Sequence, residues 1–470
     1  YKRQLRQALF DMEHYCLLLK SCRLTNMKQA HVAQIAMICI GVLIIVLNWE
    51  MIQINLIVIF TLNRGIISQN CFWWSMNDLL PDATGAEVYK TLKAQGRFIN
   101  LNVLGERIYL LTEIRDIQEL LELSPDPFGP GKIKKNFFST FIPKNVGISV
   151  GTDWKYRRDY NDKVLETDRL HQYSQSFGEY IDTVFTEMHP KTYADFTEAT
   201  RKITSKILFG TYDYNPILYK VFKQADSLLS ARFNVNTVDP DDLEEYRTYM
   251  RKELESPKPN TLLALANTHH ALLPMDSVID QIPHWVFPIA GLFSVHLPRL
   301  LVMLSNHPDE LKTVVHEFHD ETQFRRTSYV RKCILELFRL NNAVNSTFRG
   351  VTEPFTFNNS DQVFEAGTQF AFFNNSVLRD LFDRPNQFVP SRWSPELEED
   401  SSALMFNQGN QRCPGKELVI SLLTQGLGIY LRLNNDSIET PIKVDPTFIP
   451  YILNPVSYTH LRAHETGRNL

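Results

Sequence analysis

The sequence predicts a mainly helical α+β domain with a small β region, and three observations predict it. Lys416 to Leu433 places Leu418, Val419, Leu422, Leu423, Leu427 and Tyr430 at helical spacing, which is the pattern of a buried helix. Arg97-Phe-Ile-Asn-Leu-Asn-Val, then Gly105 and Arg107-Ile-Tyr-Leu-Leu111, reads as one β-hairpin. Phe196 to Phe209 reads as a further helix, stopped by Gly210. No Pro/Gly/Ser linker or internal repeat divides the 470 residues after residue 80, so one large domain is expected. A hydrophobic content of 44% with 11% aromatics supports a sizeable core. The net charge of −4 argues against a nucleic-acid partner, which would want a basic face. The six cysteines (16, 22, 39, 71, 333 and 413) show neither C-x-x-C pairing nor a disulfide-rich pattern, which suits a reducing compartment.

The most informative run is Phe406-Asn-Gln-Gly409-Asn-Gln-Arg412-Cys413-Pro414-Gly415. It has the form Phe-x-x-Gly-x-x-x-Cys-x-Gly, and each residue has a physical task if Cys413 is a thiolate ligand to haem iron. Gly409 permits a tight turn with positive φ, so that backbone N–H groups turn toward the sulfur. Gly415, without a Cβ, lets the main chain lie close to a flat macrocycle. Phe406 packs against the porphyrin. A helix starting near Pro414 brings its positive end to the sulfur and stabilises the thiolate. An axial thiolate pushes electron density through the iron and favours O–O cleavage.

The motif resembles the cytochrome P-450 superfamily of haem-thiolate enzymes, and three further segments resemble the family in the expected order. Glu336-Leu-Phe-Arg339 matches the Glu-x-x-Arg of its K helix, with i,i+3 spacing on one helix face. The flanking Cys333, Ile334, Leu335, Leu337, Phe338 and Leu340 make that helix apolar nearly all round, hence buried. A buried ion pair needs further partners. Phe388-Val-Pro390-Ser-Arg392-Trp393 resembles the segment whose Arg completes a Glu–Arg–Arg network, so Glu336, Arg339 and Arg392 are expected to be structural. Trp154-Lys-Tyr-Arg157-Arg158 matches the family's C helix, where Trp154 and Arg158 meet a haem propionate, Arg through its bidentate fork. Arg349 falls where many members place another propionate-binding Arg. Arg412 is the remaining basic residue beside the ligand. The resemblance implies the cytochrome P-450 fold, a triangular helix-rich haem domain with haem b as cofactor.

Two departures stand out. The family's Arg two residues before the ligand Cys is Gln411 here, with Arg412 one place late, so propionate neutralisation leans on Arg158 and Arg349. The family's I helix carries Ala-Gly-x-Asp/Glu-Thr, whose acid–alcohol pair delivers protons at the haem. Here Ala290 and Gly291 survive as the oxygen-binding groove, while Leu292-Phe293-Ser294 replace the rest. Ser294 and His296 are the candidates for a proton relay, and each is equally explained as a satisfied helix residue. Pro288 and Pro298 lie inside this helix, remove backbone donors and kink it, opening carbonyls toward the distal pocket.

The N-terminal part differs in kind. Val32 to Leu47 and Met51 to Leu62 are two apolar runs around Asn48-Trp-Glu50, long enough for a tilted anchor or a shallow hairpin. Lys20, Arg23 and Lys28 before it and Arg64 after it leave the orientation open. Resemblance to eukaryotic members implies an endoplasmic-reticulum membrane anchor with a cytosolic haem domain. The expected organisation is an N-terminal segment over 1–31, an anchor over 32–63, the catalytic domain over 72–455 and a tail over 456–470. That tail resembles the translation of a library adapter and is set aside from fold reasoning.

By this resemblance the expected activity is a monooxygenase inserting one oxygen atom into an apolar small molecule. Electrons come from NAD(P)H through the FAD/FMN of a flavoprotein reductase. Lys155, Arg157, Arg325, Arg326, Arg331, Lys332 and Lys416 are candidates for a basic face that docks it. The missing acid–alcohol pair motivates an alternative, a reductase-independent isomerase, dehydratase or peroxygenase acting on a hydroperoxide or peroxide. A non-catalytic haem-binding homologue is the third reading. Phe128 to Phe141 is expected to border the pocket, with Lys132, Lys134 and Lys135 as candidates to meet a carboxylate.

Overall fold

A computed structural model describes residues 89–438, apart from 91, 104–105, 219, 222–237, 343, 345 and 400–403. The expected segments 1–31, 32–63 and 456–470 lie outside the described residues. In chain order, the N-terminal part is built from β1 (Phe98–Val103), β2 (Glu106–Leu111), α1 (Ile114–Glu122), β3 (Phe128–Pro130) and α2 (Lys132–Ser139). Then come α3 (Gly151–Leu165), α4 (Ser174–Met188), α5 (Tyr193–Phe209), α6 (Pro240–Glu255) and α7 (Leu262–Thr268). The last part holds α8 (Ile282–Gly291), α9 (Leu297–Ser305), α10 (Pro308–His319), α11 (Tyr329–Leu340), β4 (Ser346–Val351), β5 (Gln369–Phe373), α12 (Asn374–Asp380) and α13 (Lys416–Leu433).

The five strands form one sheet in the order β1-β2-β5-β4-β3. The hairpin forms as expected, with Phe98 opposite Leu111 and Val103 opposite Glu106. β2 runs parallel to β5, and β4 joins β5 to β3 antiparallel. The register sets Arg349 on β4 between Phe370 and Pro130. Aromatic rings fill one side: Phe128 meets Phe355, Phe357 and Phe370 at centroid distances of 4.7–5.8 Å. Phe128 and Phe141 are fully buried, so these aromatics of the 128–141 segment pack into the protein rather than line a pocket.

The helical core is a bundle of α4, α5, α13 and the long helix that passes through residues 282–305. Phe185 on α4 meets Phe293 edge-on at 6.3 Å. A Cβ at Gly426 of α13 would stand 2.8 Å from the Phe293 ring, so the two helices approach closely there. The stretch Met275–Ser305 is long and apolar enough to cross a membrane, yet 61% of its most apolar window is buried inside the protein. Its hydropathy is that of a core helix. α5 starts on a capping box between Thr192 and Asp195 and ends at Gly210 with φ +73°.

The long helix is not uniform. Pro288 removes one donor, and residues 292–296 form a π-helical turn closed by Leu297 N–H on the Leu292 carbonyl, just ahead of Pro298. α13 begins at Lys416 with Gly415 as its N-cap. Pro414 therefore sits in the preceding turn and not in the helix, two residues before the first helical position.

Candidate active site

The Cys413 loop is built from backbone constraints. Leu404–Phe406 and Gly409–Gln411 are single 3₁₀ turns, joined through Asn407 at φ +61° and Gly409 at φ +65°. A Cβ on Gly409 would approach the Leu121 carbonyl oxygen to 2.6 Å and Glu122 Cα to 3.0 Å, at the end of α1. Gly409 thus satisfies both a left-handed backbone and a close approach. Cys413 N–H donates to the Phe406 carbonyl at 2.8 Å and closes the loop. Gly415 N–H hydrogen-bonds the sulfur. Burial pushes the Cys413 thiol above its usual range, against the lowering influence of that N–H and of the Arg158 and Lys416 charges. Metal coordination is what would deprotonate it outright.

Behind the loop, α11 carries Glu336 and Arg339, both with fully buried side chains. Arg339 holds Glu336 bidentately at 2.8 and 2.9 Å, and Arg392 Nε reaches the same carboxylate at 3.2 Å. Trp393 Nε1 at 2.9 Å and Val389 N–H at 3.0 Å complete its acceptor sites. The arginines spend their other donors on the Asp383, Arg384, Pro385 and Gln387 carbonyls. Every lone pair of a buried carboxylate is used, which is what such burial requires. The sequence singled out Glu336, Arg339 and Arg392; the Trp393 contact was overlooked, although it stands next to Arg392. Phe406 packs edge-on against Phe338 of α11 at 5.1 Å.

A set of cations gathers on the other side. Arg349 is 4% exposed, donates only to Ser124 Oγ (3.1 Å) and the Phe348 carbonyl (2.9 Å), and has no carboxylate partner among the described residues. A Cβ on Gly131 would stand 2.8 Å from Phe348 Cβ, so the start of α2 lies against β4. This brings Lys134 toward Arg349: burial and the Arg349 charge lower Lys134 to about 7. Burial lowers Arg349 to about 10. His284 on α8 is lowered to about 4 by burial, then by Lys134 and Arg158. Arg158 holds Asp162 at 2.9 Å and donates to the Arg412 carbonyl at 2.5 Å. Trp154 is half-buried on the same helix, and its indole N–H has no partner among the described residues. His284 was missed as a site residue because a lone basic side chain carries no local signal, whereas Lys134 was singled out, though for a substrate carboxylate and not for this cluster.

Arg412 does not face this cluster. Its side chain is 56% exposed and paired with Asp168, so only its carbonyl touches Arg158. The helix residues divide similarly. Phe287, Gly291 and Ser294 share one face that stays accessible, and a Cβ on Gly291 would meet nothing within 4 Å. Ser294 Oγ donates to the Ala290 carbonyl at 2.7 Å. His296 lies elsewhere, buried against Phe338 at 4.9 Å with Nδ1 unpartnered. Burial and Arg299 lower it to about 3, so near neutrality the ring is uncharged and does not serve as an imidazolium acid. Phe293, at the acid's position, is fully buried in the helical core.

The candidate docking face also loses members. Arg331 is buried between Glu398 and Glu417, Lys416 is bound to Glu398, and Arg157 and Arg326 pair with Asp153 and Glu399. A buried Arg349 without a carboxylate partner among the described residues, with Lys134 and Arg158 near it, an accessible helix face at Gly291 and a looped thiol fit a flat dianionic metallomacrocycle such as haem.

Residues 301–440 match the family model described as Cytochrome P450. Among curated relatives, Cytochrome P450 85A1 of Solanum lycopersicum is 30% identical over 115 residues, 24% of this chain and 24% of that protein. Cytochrome P450 monooxygenase orf3 of Eupenicillium brefeldianum is 24% identical over 212 residues, 42% of this chain and 40% of that protein. The matched stretches thus span less than half of either relative. Two solved structures share the fold. A 6-coordinated cytochrome P450 from Thermus thermophilus aligns with a TM-score of 0.57 at 15% identity, covering 74% of this chain and 89% of that one. A retinoic acid-bound cyanobacterial CYP120A1 aligns with a TM-score of 0.61 at 16% identity, covering 76% and 88%.

Proposed function

The chain belongs to the cytochrome P450 superfamily, and on that premise we propose that it is a haem-thiolate monooxygenase acting on an apolar small molecule. The observation that carries this reading is the Cys413 loop, closed by Cys413 N–H on the Phe406 carbonyl and backed by the saturated Glu336 cluster. When bound through Cys413, haem supplies activation of dioxygen with electrons from NAD(P)H, passed through the FAD/FMN of a partner reductase. The protein's own residues do the rest. Arg349, Lys134 and Arg158 would neutralise the propionates, with Trp154 offering its indole N–H. Phe406 and Gly415 border the ring. Gly291 would leave room beside it, since a Cβ there meets nothing within 4 Å. Ser294 holds a proton at Oγ, parked on the Ala290 carbonyl, where it can turn toward the pocket. Phe287 gives that pocket an apolar wall. The apolar runs over 32–63 would anchor the domain at a membrane, the endoplasmic reticulum being the compartment that the resemblance suggests.

The test is the absorption spectrum of the reduced, carbon-monoxide-bound protein. The purified chain should give the thiolate-ligated band and Cys413→Ser should lose it; an unchanged spectrum in the variant overturns the reading. A second reading, a peroxide-driven isomerase, dehydratase or peroxygenase, is favoured by Phe293, which leaves no acid at the proton-delivery position. Turnover with peroxide or hydroperoxide, absent with reductase and NADPH, would select it.

A further inference from the structure

A second ionic cluster also draws on α11 and shares no residue with the Glu336 network. Arg331, in the first turn of α11, donates Nε and Nη2 to Glu398 at 2.8 and 2.5 Å. Its Nη1 and Nη2 also reach Glu417 at 2.9 and 2.6 Å. Lys416 Nζ binds the Glu398 carboxylate at 2.5 Å and stands 5.9 Å from the Phe406 ring centroid. The side chains of Arg331 and Glu398 are 6% and 2% exposed, and those of Glu417 and Lys416 are 21% and 22% exposed. Two cations meet two carboxylates, so the cluster is charge-balanced and needs no outside partner.

Its placement in the chain is what matters. Glu398 belongs to the short helix Pro395–Glu399, which precedes the Cys413 loop, and Lys416 and Glu417 begin α13, which follows it. Arg331 forks across both flanks from α11, whose first turn is capped by Ser328 Oγ accepting from Arg331 N–H at 3.0 Å. The same helix presents Phe338 to Phe406 inside the loop. One rigid element therefore grips the chain before, within and after the segment that carries the sulfur. We infer that Arg331, Glu398, Lys416 and Glu417 are positioning residues that fix the Cys413 sulfur by clamping the two ends of its loop together. Cutting the clamp at Arg331 leaves the buried Glu398 and the partly exposed Glu417 without the guanidinium that joins them, so the flanks separate and the sulfur moves. The inference rests on Cys413 being the haem ligand.

The experiment follows the decay of the thiolate-ligated carbon-monoxide band into the thiol-ligated one, in mild urea, for the haem-loaded wild type and for Arg331→Met, Arg331→Lys and Glu417→Gln. Arg247→Met serves as control, since it breaks a buried pair with Asp280 (2.8 Å) remote in sequence from the loop. Thermal midpoints are recorded for all. Arg331→Met should convert about tenfold faster than Arg247→Met at matched loss of midpoint. Arg331→Lys, which keeps the charge without the fork, should fall between Arg331→Met and wild type. Should Arg331→Met not fold, Glu417→Gln carries the comparison, because its side chain is partly exposed and the same ordering is expected. Conversion that tracks the midpoint equally in the clamp and control variants overturns the inference and leaves a merely structural cluster. A wild type without the thiolate band overturns the ligation reading itself, and this inference with it.

Discussion

Arg349 and Lys134 are cations held close together with no carboxylate to balance Arg349, a state that ordinarily costs a folded chain several kcal/mol. The cost falls on the haem-free chain and is relieved by a dianion. Arg349→Met is therefore expected to leave the thermal midpoint of the haem-free protein unchanged or raised. Haem release to an acceptor protein should accelerate about tenfold, the loss of a charge-assisted hydrogen bond. A lowered midpoint with unaltered release would contradict this. Gly409 is constrained twice, by φ +65° and by the Leu121 carbonyl. Gly409→Ala should destabilise by about 2–4 kcal/mol, combining backbone strain and overpacking. Chemical denaturation measures that loss. Legibility at this scale tracked how local the signal was. The Cys413 motif and the Glu336–Arg339 spacing are short-range patterns. Arg412 is not, because one residue's displacement swung its side chain outward to Asp168.

Within elements, the helix through residues 282–305 holds the sharpest contrast. Its accessible face carries Gly291 and Ser294, and its packed faces carry Phe293 and His296. Ser294→Ala should lower product formed per NADPH consumed by about tenfold or more while leaving KM nearly unaltered, since only proton delivery is removed. Equal coupling in the two proteins would remove Ser294 from the relay. His284 and His296 titrate at about 4 and 3 when folded, against 6.5 for a free side chain. Below pH 6.5 the unfolded chain takes up protons that the folded chain refuses, so stability drops as pH falls from 6.5 toward 4. His296→Gln should flatten that slope in thermal melts, by at most about 1.4 kcal/mol per pH unit. Helical periodicity and Gly or Pro punctuation made α5, α13 and the hairpin readable in advance. The π-helical turn was not readable, because it arises from how Pro298 and the packing around Phe293 share the missing donors, which is a tertiary matter.

At the scale of the whole molecule, the sheet and the helical bundle bring into one site residues that lie far apart in the chain. β4 brings Arg349, α2 brings Lys134, α3 brings Arg158, and α11 with α13 hold the sulfur. Haem loading should stabilise the folded chain by mass action, by about 2.7 kcal/mol at a hundredfold excess over its dissociation constant, and so raise the midpoint. Calorimetry with and without haem checks this. A shared reading of the helices from sequence could not supply such convergence, since the distances between α2, α3 and β4 depend on every element between them. The contact of Gly409 with the end of α1 has a consequence for biosynthesis. Leu121 leaves the ribosome long before Gly409, yet the Cys413 loop needs the two in contact. Nascent chains stalled before α13 has emerged should therefore capture no pulse-labelled haem.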